Sequence, residues 1–336
     1  MNQPLPLIRR LEIGNTPSFL GSDWHFKTPD ANRDNTPANV AEQVIADADR
    51  VHTGERHLYC LGDIYSTYDR GIQTAPLVTE VLDHLSRRFD AVFFVPGNHD
   101  LRGRSDPYEG LRSLPKNVVS PQPPDHVASV SIPTTSAQIR VLLCNVLPGA
   151  DLLLPKELLD IYGIGHRTVE ELSQEHPDND PAAPMVQVSV AERRTLTGKA
   201  VQAINPETQV LAVHGLPDPA PIEIPVTPEL APAIECVRSL IDTLGIRLIT
   251  DPARLRKIIE DGQTFNASHS PERILQRWVG KAASDLGVPL LRMAGDRIGD
   301  NLMAMHGHNH CPPYERTIHV KDKQVKLLSY QRVLNR

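Results

Sequence analysis

The 336-residue chain lacks long hydrophobic runs and has only four cysteines. Nowhere do 18 apolar residues follow one another, so we expect no transmembrane helix. The N-terminal residues lack the continuous apolar segment of a signal peptide, which favours a soluble protein that is not exported by the usual route. The cysteines form no CxxC pair, and their wide spacing indicates reduced thiols and a cytoplasmic location.

Strongly basic stretches are absent as well. The formal net charge is −6, and no run of Lys and Arg suggests a non-specific nucleic-acid tract, although a local basic groove stays open. The chain is long enough, and at 40% hydrophobic content apolar enough, to bury a large core. It fits either one large α/β domain with insertions or one domain with a helical cap.

Short apolar runs that end abruptly in polar, glycine-containing turns predict buried strands. These runs are 17–21, 57–61, 91–95, 139–146, 210–213 and 301–305. Between the early runs, residues 39–51 and 75–89 show the i, i+3, i+4 apolar spacing of helices. The alternation predicts a layered α/β fold with catalytic loops at the carboxyl ends of the strands.

The pattern loosens in the second half of the chain. Residues 148–206 contain a polar, proline-rich stretch that is typical of an exposed loop. Residues 217–296 begin with a Pro-rich segment and continue into helical patterns at 228–244, 252–260 and 271–286. We therefore predict a core of 1–216 and 297–336, with 217–296 as a mostly helical insertion that serves as a cap or an interface. The tail predicts a β-hairpin that turns near Asp322 and Lys323.

Five short polar segments stand at the ends of apolar runs, so the fold can bring them to one rim of a sheet. They are Asp23-Trp24-His25, Gly62-Asp63, Gly97-Asn98-His99-Asp100, His214-Gly215 and Gly307-His308-Asn309-His310. Carboxylate, imidazole and amide oxygen together suit Mn, Fe or Zn rather than calcium alone. Taken singly, the first four segments could be a turn, an N-cap or a surface histidine. The pair His308 and His310 alternates along an extended segment, which suits two ligands of neighbouring metals and is hard to explain structurally.

In this order, the segments resemble the signature of the calcineurin-like metallophosphoesterases: D-x-H, G-D, G-N-H-D, an isolated H, then G-H-x-H. The resemblance implies a metallophosphoesterase-type β-sandwich flanked by helices and a site for two divalent metal ions, of which we favour Mn over Fe or Zn. It assigns Asp23, His25 and His310 to one metal, Asn98, His214 and His308 to the second, and Asp63 to a bridge between them.

The resemblance also implies a mechanism. A hydroxide between the two metals would attack phosphorus in line. His99 would protonate the departing alkoxide, and Asp100 would hydrogen-bond the other ring nitrogen of His99 to fix its tautomer and charge.

Substrate contacts are predicted from charge and position, and for Arg70 also from a resemblance to the phosphoprotein-phosphatase branch, whose Arg binds phosphate at a closer spacing. Arg70 follows the bridging Asp63, and Arg102 and Arg104 follow the GNHD segment, so each could clamp an anionic substrate. A solvated surface arginine is the alternative for all three. His306 alternates with the two histidines that follow it and is a candidate to contact either a metal ligand or the substrate.

The family resemblance leaves three functions open. We favour a phosphodiesterase that acts on a nucleotide-like or nucleic-acid ester, because of the GNHD form and the insertion, over a phosphomonoesterase that uses the same site. The third is a catalytically inactive scaffold that binds protein, although such relatives typically lose ligands that are all present here. The spacing after Asp63 and the GNHD form argue against a Ser/Thr protein phosphatase.

Overall fold

The computed structural model describes most of the chain outside residues 154–187 and 254–288. The described residues are 6–66, 74–100, 108–133, 138–145, 152–153, 188–218, 223–226, 228, 231–236, 238–243, 247–253, 289–308 and 312–332. Two large sheets dominate them. The first contains β1 (Arg9–Ile13), β2 (Thr16–Gly21), β4 (His57–Cys60), β6 (Ala91–Phe94) and β7 (Val118–Val119).

The second sheet has six strands in the order β16, β17, β15, β12, β9, β8. They are β8 (Val127–Pro133), β9 (Gln138–Cys144), β12 (Thr208–Val213), β15 (Leu302–His306), β16 (Tyr314–Val320) and β17 (Lys323–Ser329). Three two-stranded pairs complete the described strands. They join β3 (Phe26–Lys27) to β5 (Tyr65–Ser66), β10 (Leu152–Leu153) to β11 (Val188–Ser189), and β13 (Glu223–Pro225) to β14 (Arg247–Ile249).

The central strands of both large sheets are parallel. In the first sheet β2, β4, β6 and β7 run in parallel, and β1 is antiparallel at one edge. In the second sheet β9, β12, β15 and β17 run in parallel, between antiparallel edge strands β8 and β16. Parallel strands carry their following loops at the same end, so each sheet gathers several loops on one rim.

Helices cover the outer faces of the two sheets. The described helices are α1 (Pro37–Asp49), α2 (Ala75–Ser86), α3 (Glu109–Arg112), α4 (Val190–Ala203), α5 (Ala231–Cys236), α6 (Arg238–Thr243) and α7 (Leu290–Ala294), followed by a 3-10 turn at Gly295–Arg297. The start of α1 is set by its sequence. Thr36 accepts a hydrogen bond from the Asn39 amide at 3.3 Å, and Pro37 occupies the first turn, where no amide is needed.

Three hydrophobic clusters show how the layers pack. One lies between the first sheet and helices α1 to α3, with Val44, Leu58 and Leu82 at its centre. A second joins the second sheet to α4 and α7. The third lies between the sheets, where Tyr59 and Leu143 are both fully buried. The order is therefore helices, sheet, sheet, helices, which is the flanked sandwich that the family resemblance implies.

The six predicted strands and the first two predicted helices agree with the structure except at their ends. All six predicted strands form, and the helices predicted at 39–51 and 75–89 occupy Pro37–Asp49 and Ala75–Ser86. The C-terminal hairpin of β16 and β17 turns at Lys321, whose φ is 55°. None of the described helices is both long and apolar enough to span a bilayer.

The segment 217–296 is partly described. It contains α5, α6 and α7, but also the parallel pair β13 and β14. The helices predicted at 252–260 and 271–286 fall almost wholly outside the described residues. Leu290, Leu291 and Ala294 of α7 pack into the cluster beneath the second sheet. The division of the chain into core and insertion remains a prediction.

Candidate dinuclear metal site

The loops after β2 and β4 are joined backbone to backbone at the rim of the first sheet. The Asp23 amide donates to the Gly62 carbonyl at 2.9 Å, and the His25 amide donates to the Asp63 carbonyl at 3.0 Å. The strands β3 and β5 continue this pairing. Trp24 is fully buried beneath the loop and donates its indole N–H to the Leu7 carbonyl at 3.0 Å. The carboxylates of two loops are therefore held beside each other.

The second sheet supplies two histidines from neighbouring parallel strands. His214 follows β12 and His308 follows β15, and these strands pair with Val213 opposite His306. The Gly307 amide donates to the His214 carbonyl at 2.8 Å, which extends the backbone pairing beyond the ends of β12 and β15. Both imidazoles thereby reach the rim that carries the loops of the first sheet.

Three ligand-type atoms from different strand ends converge at one point. Asn98 Oδ1 lies 3.1 Å from His308 Nδ1 and 3.3 Å from His214 Nε2, and the two histidine nitrogens are 3.3 Å apart. Atoms that share a tetrahedral ion at about 2.1 Å each are separated by roughly 3.4 Å. The structure thus brings together the three side chains that the sequence assigns to the second metal, at a spacing that fits one ion.

Asp63 lies between this cluster and a second group of ligand-type atoms. Its Oδ2 is 3.5 Å from His214 Nε2 and 3.6 Å from His25 Nε2. The other oxygen, Oδ1, accepts the His99 amide at 2.9 Å. Asp63, His214 and His308 form one group that could hold a metal ion, and His25, Asp63 and His99 form another. A single carboxylate is common to both.

Asp23 and His25 lie on the first-sheet side of Asp63. Asp23 Oδ1 is 3.9 Å from His25 Nε2, and both Asp23 oxygens are 3.0 Å from the His308 amide nitrogen. The rings of His25 and His99 meet edge to face with centroids 5.1 Å apart. The half-buried His99 therefore stands over the first group rather than away from the site.

The orientation of His214 is set by a backbone carbonyl. Its Nδ1 lies 2.6 Å from the Leu61 oxygen and therefore carries a hydrogen, so that Nε2 is the nitrogen that faces the cluster and would bind an ion. A hydrogen bond of this kind is typical of metal-binding histidines, whose second nitrogen donates to a carbonyl or carboxylate.

The charges of the site favour a cation. Burial opposes protonation of His214, but the charge and hydrogen bond of Asp63, together with Asp23, raise the pKa of His214 to about 10. Burial works to raise the pKa of Asp63 also, yet His214, His99 and His25 hold it well below its ordinary value. Burial raises the pKa of Asp23 to about 7 against the pull of His214. A divalent ion would supply the positive charge that these carboxylates otherwise draw from a proton.

Strained backbone is concentrated at the candidate ligands. Among the described residues, seven that are not glycine have left-handed φ, and four of the seven are candidate ligands. Those four are Asp23 (53°), His25 (49°), Asp63 (54°) and His308 (74°). Such conformations cost about 1–3 kcal/mol each and persist where the surrounding structure enforces them. This clustering is what a functional site requires of its loops.

Asp100 has a different hydrogen-bonding partner from the one we expected. Its carboxylate does not hold the ring of His99. Instead Oδ2 accepts the amides of Asp63 (2.7 Å) and Gly97 (2.8 Å), and Oδ1 accepts the Ile64 amide (2.9 Å). Burial and the charge of Asp63 raise the pKa of Asp100 to about 7. Its observed role is to join the Asp63 loop to the GNHD loop, because three backbone N–H groups there need an acceptor.

Of the four predicted substrate contacts, only His306 lies among the described residues. His306 is fully buried, with Nε2 hydrogen-bonded to the Tyr314 hydroxyl and Nδ1 3.2 Å from the Gly307 carbonyl. This environment suits support of the His308 loop and does not suit contact with a substrate. The remaining predicted residues, Arg70, Arg102, Arg104 and the metal ligand His310, lie outside the described residues.

Two groups that position His214 and His99 were not predicted from the sequence. The Leu61 carbonyl orients His214, and Thr74 donates its hydroxyl to the His99 carbonyl. A backbone carbonyl carries no residue-type signal, so nothing in the sequence could indicate the first. Thr74 precedes the proline-containing start of α2, where a threonine predicts only a helix cap. Its side chain makes no such cap in the structure.

Comparison with known proteins agrees with the geometry. Residues 21–182 match the family described as calcineurin-like phosphoesterase. No significant match was found among curated protein sequences. Among solved structures, the chain is similar to the crystal structure of the phosphopantetheinyl hydrolase from Mycobacterium tuberculosis, at 16% sequence identity and a TM-score of 0.37, over 94% of this chain and 89% of that one.

The family match begins just before Asp23 and includes Asp63, Asn98 and His99. Of these residues, Asp63 lies in one group with His214 and His308, and Asp63 and His99 lie in another with His25. Over residues 21–182 the chain matches the calcineurin-like phosphoesterases, and this match supports a metal-dependent phosphoester hydrolase.

Proposed function

We propose that the chain hydrolyses phosphodiesters with two divalent metal ions bound at the rim where the two sheets meet. The proposed ligands are Asp23, His25 and His310 for one ion, Asn98, His214 and His308 for the other, and Asp63 for both. Manganese is the ion that we favour, and a nucleotide-like or nucleic-acid ester is the substrate class that we favour.

The observation that carries the proposal is the position of Asp63. One of its oxygens lies within 3.6 Å of ligand nitrogens on both sides, from His25 and from His214. Two cations held close together repel strongly unless an anion lies between them. A buried carboxylate that is shared by two ligand groups supplies that anion.

Residues of the chain would transfer the proton and hold the catalytic loop in place. Bound ions would neutralise phosphate oxygens and lower the pKa of a bound water toward neutrality. His99 would hold a proton on its ring and pass it to the departing oxygen of the ester. Asp100 and Thr74 fix the loop that carries His99, since they bind the backbone of Gly97 and of His99 itself.

Removing the His99 imidazole should separate proton transfer from metal binding. We expect His99→Ala to keep two ions per chain and to lose about 100- to 10,000-fold in kcat on esters with poor leaving groups, the usual contribution of a general acid. On a p-nitrophenyl ester the loss should be much smaller, because p-nitrophenolate departs without a proton. Steady-state kinetics on paired alkyl and p-nitrophenyl esters, with elemental analysis of the same samples, measure both quantities.

His84→Ala is the matched control for this variant. His84 lies on α2, where it is near Glu80 and remote from the site, so its removal should change neither kinetics nor metal content. His99 also belongs to a group that could hold a metal with His25 and Asp63. If His99→Ala loses an ion, or loses activity equally on both esters, His99 is a ligand and the general-acid assignment is wrong.

The preference for diesters is tested by comparing kcat/KM for diester and monoester substrates. With added Mn²⁺, we expect bis-p-nitrophenyl phosphate and a dinucleotide to be cleaved with kcat/KM at least about tenfold above p-nitrophenyl phosphate, a difference of roughly 1.4 kcal/mol in the transition state. The leaving groups of the two nitrophenyl esters are alike, so their ratio reports recognition of the second ester group. A ratio below one would reassign the chain as a phosphomonoesterase. No cleavage of any ester with Mn, Fe or Zn would favour the inactive scaffold.

A further inference from the structure

We propose that Ser22 is a positioning residue that sets the orientation of the Asp23 carboxylate for metal binding. The inference rests on the proposed dinuclear site and adds a residue to its machinery. Ser22 is fully buried at the end of β2, directly before the ligand loop. Its hydroxyl hydrogen-bonds the Oδ2 atom of Asp23.

The hydroxyl has one hydrogen and two acceptors within reach. Besides Asp23 Oδ2, Ser22 Oγ lies 3.1 Å from the Leu61 carbonyl oxygen. A carboxylate is the stronger acceptor and is the nearer of the two, so the hydrogen goes to Asp23. The Leu61 carbonyl already accepts from His214 Nδ1 at 2.6 Å. The Leu61 carbonyl therefore keeps one hydrogen-bond donor when the Ser22 hydroxyl turns toward the carboxylate.

The rest of the pocket prevents Ser22 from turning away. Its backbone forms a bridge to Gln331, and its carbonyl accepts the Arg332 amide at 3.2 Å. On the other side, the backbone of Gly307 lies so close that a β-carbon there would overlap both Ser22 Oγ and Asp23 Oδ2. The hydroxyl is enclosed between the two sheets, next to the carboxylate that it binds.

This contact distinguishes the two oxygens of Asp23. Oδ2 accepts the Ser22 hydroxyl, while Oδ1 lies 3.9 Å from His25 Nε2, its partner in the proposed first metal set. The His308 amide lies 3.0 Å from both oxygens and so does not distinguish them. The serine hydroxyl does, because it binds Oδ2 and leaves Oδ1 on the side of His25. Outer hydrogen bonds of this kind typically contribute about 10- to 100-fold to metal affinity.

The test uses cobalt as the probe ion, because its d–d absorption reports the ligands around it. The full-length protein is first titrated with Co²⁺ against a competing chelator. Two ions per chain are expected, and fewer than two would contradict the proposed function itself, whatever Ser22 does. In Ser22→Ala we expect one of the two dissociation constants to rise about 10- to 100-fold with a changed d–d spectrum, and the other to change by less than about threefold.

Ser18→Ala is the matched control. Ser18 is also fully buried on β2, but its hydroxyl bonds the Thr16 carbonyl at 3.2 Å, away from every candidate ligand. It should leave both constants and the spectrum unchanged. If Ser22→Ala fails to fold, Ser22→Gly replaces it, since it also removes the hydroxyl and introduces no metal-binding atom. Wild-type constants and an unchanged spectrum in the folded Ser22 variant would overturn the inference while leaving the dinuclear site in place.

Discussion

Asp63→Asn will leave a folded protein that holds at most one metal ion and has lost nearly all turnover. The amide has the shape of the carboxylate, so Oδ1 can still accept the His99 amide. What disappears is the negative charge between His25 and His214. We expect kcat/KM to fall by at least about a thousandfold, since metal stabilisation of the transition state is worth several kcal/mol.

Elemental analysis and kinetics on the same preparation measure this result. Asp47→Asn is the control, because Asp47 is also buried and also accepts a backbone amide, that of Leu7, but lies in α1. It should retain two ions and wild-type kinetics. Two tightly bound ions in Asp63→Asn would show that the ions do not share this carboxylate, and the proposed geometry would fail.

The positions of the described candidate ligands were predictable because they depend on strand ends. An apolar run of four to six residues that stops at a polar turn marks a buried strand, and the structure places β2, β4, β6, β12 and β15 where these runs occur. Asp63 and Asn98 therefore come to one rim by topology alone. The same reasoning applies to His214 and His308 in the second sheet.

What the side chains do at the rim was not predictable from pattern. Asp100 seemed placed to bind the ring of its neighbour His99, but the three unpaired amides of Asp63, Ile64 and Gly97 take both of its oxygens. Left-handed backbone at Asp23 and His25 is only weakly signalled by residue type, since aspartate and histidine are enriched in that region but mostly adopt other conformations. Periodicity cannot report such local demands, because they arise from loops that are distant in sequence.

The buried position of His306 shows a related limit. Strict alternation along residues 306–310 predicts that His306 and His308 face the same side. The strand β15 ends at His306, however, and His308 adopts a φ of 74°, so the alternation stops between them. His306 remains in the sheet with Tyr314 as its partner, and only His308 reaches the cluster.

Gly97→Ala should disable the site without touching a ligand. A β-carbon at position 97 would lie 2.7 Å from the Asp63 amide nitrogen and would overlap Asp63 Oδ1. Neither atom can yield easily, since both are held by hydrogen bonds, to Asp100 and to the His99 amide. We expect a loss of about 1–3 kcal/mol in unfolding free energy from the overlap. Activity should fall by about 100-fold or more, because displacement of a catalytic group by 1 Å has that effect.

Gly198→Ala is the same chemical change at a position where we expect the protein to become more stable instead of less stable. Gly198 lies in α4 with nothing within 4 Å of an added β-carbon. Alanine there should raise the unfolding free energy by about 0.5–1 kcal/mol, since glycine is the poorer helix former, and should leave activity unchanged. Denaturant unfolding measures the unfolding free energy of both variants, and metal titration measures how many ions each one binds and how tightly. If Gly97→Ala binds two ions with wild-type affinity, the loops tolerate a shift of Asp63, and the site does not depend on the close approach of these two backbones.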